Sequence, residues 1–150
     1  MEDLKIALYQ ACLDFIHQRI QTAETALEQA REASNDDTKS SAGDKFETTR
    51  EMMQQDISRN KRLLADAQQN LQMLESLQDV PVSLQVKNGS LVHTNNGVFY
   101  ISISAGQIKL DSIQAFAISA VSPIGQLLLG KKEGESFSFN QNHYLIEKIS

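Results

Sequence analysis

The chain has 150 residues, of which 41% are hydrophobic and 22% charged, with a formal net charge of −5. That length holds one ordinary domain or two small ones, and that balance suits a globular protein in water. No apolar run approaches the roughly 18 residues needed to cross a membrane. The acidic start MEDLKIALYQ lacks the basic-then-apolar order of a secretory signal, and the single cysteine, Cys12, excludes an internal disulfide and fits a cytoplasmic location.

The charge is unevenly spread. Residues 1–79 hold nine Lys+Arg and fifteen Asp+Glu, net −6, whereas residues 80–150 hold five and four, net +1. Phosphate contacts need an excess of Lys and Arg, so an acidic first half excludes independent DNA binding. If the protein acts on nucleic acid, a partner does the gripping.

The first half reads as helix. Ile6, Tyr9, Leu13, Ile16, Ile20, Ala23, Leu27 and Ala30 follow at spacings of 3 and 4, the seam of a coiled coil. A second seam runs Met53, Ile57, Asn60, Leu64, Ala67, Leu71 and Leu74, with Asn60 as a single polar position able to set register. Between them SNDDTKSSAGDK carries the Ser, Asn, Asp and Gly that break helices. Two seams joined by a short polar break predict an antiparallel two-helix coiled-coil hairpin over residues 1–79, a rod on the order of 45 Å long.

Near Asp79 the period changes. Pro81 stops the helix, and GSLVHTNNGVFYISIS predicts a β-hairpin around Asn96-Gly97. Its second strand turns Phe99, Ile101 and Ile103 one way and Val98, Tyr100 and Ser102 the other. SIQAFAIS predicts another strand. SPIGQLLLGKK predicts a short helix capped by Ser122, opened by Pro123 and ended at Gly130. ESFSFN and HYLIEKI predict a closing pair around NQN. The expected class is α+β: a helical hairpin, residues 1–79, then a small sheet domain with one short helix, residues 80–150.

The most unusual composition lies at the break. Asp36, Asp37, Asp44, Glu47 and Glu51 crowd it, and Phe46 stands beside them. Asp44 and Glu47, three apart at the start of the second helix, can converge. One reading is a capping box, in which both carboxylates satisfy free amides and favour the helix dipole. The other is a half-site for a hard cation: Mg²⁺ takes one or two carboxylates and completes its shell with water and phosphate, here supplied by another molecule. Phe46 either packs on the first arm or meets a partner.

Other constellations are weak. His17, His93 and His143 lie far apart and form no zinc-ligand spacing with Cys12. Cys12 sits mid-helix, without the N-terminal helix position or partner histidine of a thiol nucleophile. The GKK at 130–132 follows a helix, so it is no phosphate loop; Lys131 and Lys132 are either solvated or a docking patch. An apolar pocket for proline isomerisation lacks the aromatics to line it.

Taken together, the chain resembles the GreA/GreB-type transcript cleavage factors of bacterial RNA polymerase over nearly its whole length. AISAVSPIGQLLLGKKEGESFSF is similar to the ending of that family, through Ser122-Pro123-Ile124, Leu129-Gly130-Lys131 and Gly134-Glu135, and GDKFE is similar to its Gly-Asp-x-x-Glu tip. The resemblance implies an FKBP-like fold for the second half. It implies a hairpin that enters the polymerase secondary channel while the globular half docks at the mouth, with Ser122, Pro123, Ile124, Lys131 and Lys132 as candidate docking residues. Asp36, Asp37 and Phe46 would then belong to the tip. It implies that Asp44 and Glu47 help hold a second Mg²⁺, shared with the polymerase, so that the polymerase hydrolyses the 3′ end of backtracked RNA. On this reading the protein is no enzyme by itself. Two departures stand at the tip: Thr48 follows Glu47 where the family has Asn, and Glu51 occupies the family's tyrosine position. They leave open a channel regulator that does not cut, and the residues alone leave open a coiled-coil adaptor unrelated to polymerase.

Overall fold

A computed structural model describes residues 2–37, 44–111 and 113–150; the junction at 38–43 and the side chains of residues 34–37 and 44–47 lie outside the described residues. Two long helices, α1 (Glu2–Asp37) and α2 (Asp44–Glu75), precede six strands and one short helix. These are β1 (Leu91–Thr94), β2 (Gly97–Ile101), β3 (Gly106–Leu110), β4 (Ile113–Ile118), α3 (Pro123–Leu128), β5 (Ser136–Phe139) and β6 (Asn142–Ile149). The class is α+β, as the change of period implies. The chain forms two compact units, residues 16–71 and residues 1–15 with 72–150.

In the first unit, burial follows the helical seams. Ile16, Ala23 and Leu27 of α1 and Ala67 of α2 are buried, while Ile20, Met53, Ile57, Asn60, Leu64 and Leu71 are half-buried. The positions between them are mostly exposed, so each helix offers one narrow stripe and is otherwise polar. Asn60 spends its side-chain amide locally: Nδ2 donates to the carbonyl of Asp56, one turn back, at 2.9 Å.

The second unit departs from the expected seam. Ile6, assigned to it, is 65% exposed, and the buried side chains of the first turns are Leu8 and Cys12. This stretch serves a different partner. Cys12 Sγ lies 3.7 Å from Ser102 Oγ, just past β2, so these turns cover the sheet and answer to its geometry.

The sheet is mixed, in the order β3-β4-β2-β1-β6-β5, with β2 and β4 parallel and all other neighbours antiparallel. The β1–β2 hairpin pairs Thr94 with Gly97, so Asn95 and Asn96 form its loop, and Gly97 at φ 124° supplies the backbone angle that closes it. The loop is tied to β6: Leu145 N donates to Asn95 Oδ1 at 2.7 Å and Asn96 Nδ2 donates to the carbonyl of His143 at 2.7 Å. The β5–β6 turn places Asn140 and Gln141 at φ 51° and 69°, the left-handed pair a tight hairpin needs.

Both faces of β2 are buried. Phe99 and Ile101 join Val92, Leu128, Tyr144 and Ile146 in the main core. Tyr100 and Ser102, pointing the other way, are also buried. The sequence pattern correctly separates these two sets, and the first turns of α1 explain why the second is not exposed. β3 is not among the expected strands: it is a short edge strand with mostly exposed positions and only Ile108 and Leu110 half-buried.

α3 forms as its sequence dictates. Ser122 Oγ accepts from Gly125 N at 3.1 Å and donates to the carbonyl of Ser119 at 2.7 Å, Pro123 opens the helix, and Gly130 follows it at φ 81°. Replacing Ser122 by Ala removes both bonds. Thermal unfolding followed by circular dichroism should show a loss of about 1 kcal/mol, lowering Tm by roughly 2–4 °C.

His93, half-buried on β1, has a buried Nε2 with no hydrogen-bond partner among the described residues. Burial holds its pKa below the ordinary value, and Lys148 adds to the effect against the opposing pull of Glu147. The unfolded chain therefore protonates first on acidification. The neutral form's contribution is complete above the unfolded value of about 6.5 and is lost as pH falls through the lower folded value. Urea unfolding from pH 7.5 to 5 should show stability declining below pH ~6.5, with this part of the slope absent in His93→Gln.

Candidate functional site

Three places carry candidate functional groups. The first is the acidic junction. Asp36 and Asp37 are the last residues of α1, and Asp44, Phe46 and Glu47 stand in the first turn of α2. The six intervening residues and all five of these side chains lie outside the described residues, as does the capping-box reading. The helix starting at Asp44 does set Asp44 and Glu47 three apart within one turn, a spacing at which side chains lie on one face.

The second place is α3 and the loop that follows. The candidate docking residues fall together here but have different duties. Ser122 is spent on the helix cap, and Ile124 is half-buried against the main core. The backbone at 130–132 closes the sheet unit: Gly130 N donates to the carbonyl of Val86 at 2.9 Å, Val86 N donates to the carbonyl of Lys131 at 2.9 Å, and Lys132 bridges to Gln85. The loop is also held from below. Lys132 N donates to Glu135 Oε1 at 2.9 Å, and Ile149 N donates to Glu133 Oε1 at 3.0 Å. The run from Ser122 to Glu135 is thus first a folding device. Its outward groups are Pro123, Gln126 and Leu127, on one face of α3 by spacing, together with Val121, Leu129 and the Lys132 side chain. Val121, 78% exposed, and Leu127 and Leu129 make this face partly apolar beside a cation.

The third place is a cleft of about 560 Å³ in the sheet-bearing unit, which the sequence reading does not anticipate. Lys5, Ile6 and Tyr9 of α1 form one wall, Leu77, Asp79 and Val82 the other, and Tyr100 of β2 also lines it. Lys5 and Tyr9 are four residues apart, so a single helix face presents them. Burial raises the pKa of Tyr100, reinforced by Cys12 and Tyr9, so its hydroxyl stays protonated as a donor. Tyr9 is raised too, by burial and by the nearby carboxylates of Glu75 and Asp79. Two of the three tyrosines, Tyr9 and Tyr100, converge on this cleft.

Among the described residues no group of three or more His, Cys, Asp or Glu is placed to hold a metal ion. His17 and His143 are exposed on α1 and β6, away from His93 on β1 in element and sequence. Cys12 is fully buried, and burial raises its thiol pKa against the opposing hydrogen bond from Ser102, the reverse of what a nucleophile needs. Among the described residues, no helix is long and apolar enough to cross a membrane. Compared with known proteins, the chain matches no family model and no curated protein sequence.

Proposed function

We propose that the chain is a GreA/GreB-type factor that enters the secondary channel of bacterial RNA polymerase and lends carboxylates to its Mg²⁺ chemistry. The reading is carried by one coincidence: an acidic junction between helices of 36 and 32 residues, followed in the same chain by the Ser122–Lys131 run. At 1.5 Å per residue, helices of that size reach roughly 50 Å, the scale on which a tip can act far from its anchor. On this reading residues 1–79 form an antiparallel coiled-coil hairpin and residues 80–150 an FKBP-like body that docks through the outer face of α3, with Pro123, Lys131 and Lys132 at its edge. The protein works in the cytoplasm, contacts the RNA 3′ end only through the polymerase, and binds no DNA independently.

The chemistry is electrostatic. Hydrolysis at a two-metal site needs dications about 4 Å apart, one on the attacking and one on the leaving oxygen. Asp44 and Glu47 lower the cost of the second Mg²⁺ and position its water. They bind no metal tightly alone, because Mg²⁺ keeps most of its shell as water and phosphate. The net charge of −6 over residues 1–79 draws the rod toward a metal-bearing channel. A second reading rests on Thr48 and Glu51, which depart from the family's tip: the rod occupies the channel and regulates transcription without cutting.

The test is addition of the protein to backtracked polymerase complexes with Mg²⁺, with RNA length as the readout. Wild type should shorten the RNA, and Asp44→Ala and Glu47→Ala should each slow shortening by at least about tenfold, as expected when a ligand to a catalytic metal is lost. Equal shortening by wild type and Asp44→Ala contradicts the metal role. Competition with other channel ligands but no shortening supports the non-cutting regulator. No association with polymerase leaves the adaptor.

A further inference from the structure

The cleft at Tyr100 has no part in the proposed polymerase chemistry. Its size lies within the several hundred Å³ typical of small-molecule sites. The apolar part of its lining is open: Ile6 is 65% and Val82 67% exposed. Its polar lining is Lys5, Tyr9, Gln10, Gln78, Asp79 and Tyr100, of which Gln10 donates to Asp14 Oδ1 at 2.9 Å. Tyr100 is 1% exposed and lines the cleft. Lys5 is half-buried, and no carboxylate among the described residues lies within ion-pair distance of it. Its neighbouring charge is another cation, Lys87, and burial together with Lys87 lowers its pKa. A desolvated ammonium pressed by a like charge gains from any anion that reaches it.

The opposite side of the cleft limits that anion. Asp79 lines it, and Glu75 lies near the Tyr9 ring that forms its wall. A second negative charge on the ligand would be repelled there. We propose that this cleft binds a small apolar monocarboxylate, its head on the Lys5 ammonium and the Tyr100 hydroxyl and its tail along Ile6, Leu77 and Val82. Charge-assisted bonds from an ammonium and a buried phenol orient the carboxylate, and the tail covers the exposed apolar wall. No covalent step is involved.

Sodium octanoate, octylamine and inorganic phosphate, titrated separately into the ¹⁵N-labelled full-length protein at pH 7, test the assignment through amide shifts. Octanoate should saturate, with shifts concentrated at residues 5–10, 77–82 and 100, while octylamine and phosphate leave these amides in place. Lys5→Gln should weaken octanoate by about tenfold or more, and Tyr100→Phe by several-fold, with the remaining spectrum unchanged. Absence of saturation with octanoate, equal binding of octylamine or phosphate, or undiminished binding to Lys5→Gln would overturn it.

Discussion

Burial of β2 on both faces is the constraint around which the sheet-bearing unit is built. Phe99 and Ile101 need a cover on one side, and Tyr100 and Ser102 need one on the other. α3 with β5 and β6 supplies the first cover through Leu128, Phe137, Tyr144 and Ile146. The first turns of α1 supply the second, where Cys12 meets Ser102. Each large side chain buried this way contributes about 1.5–3 kcal/mol, so neither cover is optional for a chain of this size. A helix that begins as a lid on a sheet and continues as one arm of a helical pair carries two unrelated packing demands in one uninterrupted element.

That division separates what the motif of the second half says about fold from what it says about function. Ser122, Gly130 and Glu135 hold α3 and its loop to the sheet through caps and backbone bonds. Their presence follows from the need to close the core, whatever the unit binds. Pro123, Leu127 and Lys132 are exposed, although Pro123 also opens α3 and the Lys132 backbone pairs with Gln85 and Glu135. The acids at the junction have the opposite character. Asp44 and Glu47 fall where the helix dipole welcomes negative charge, yet Asp36 and Asp37 fall at the end of α1, where it does not. An acidic residue at a helix C-terminus costs a few tenths of a kcal/mol, so the helix dipole does not account for Asp36 and Asp37.

Much of the fold is legible in the sequence. The stripe of α2 follows its apolar spacing from Met53 to Leu74, because a pair of helices sees only period and side-chain size. The β1–β2 hairpin, α3 with its Ser122 cap, and the β5–β6 pair were announced by local turn and capping chemistry. The first turns of α1 were not. There a continuous 3–4 spacing suggested Ile6 and Leu13, whereas the sheet selects Leu8 and Cys12, and no local pattern reveals a partner some 90 residues away. β3 escaped because its alternation, Gln107-Ile108-Lys109-Leu110, is only four residues long. The cleft escaped because its walls come from α1, from the stretch after α2 and from β2, which only tertiary structure brings together.

Native-state hydrogen exchange addresses the double burial of β2 most directly. If the start of α1 is a structural cover, the amides of Leu8 and Cys12 should exchange with the same opening free energy as those of Tyr100 and Ile101, within about 1 kcal/mol, because one cooperative unit releases all four. Exchange at Leu8 and Cys12 several kcal/mol more readily, with Tyr100 and Ile101 still protected, would show that the sheet stands without this cover and would contradict the account.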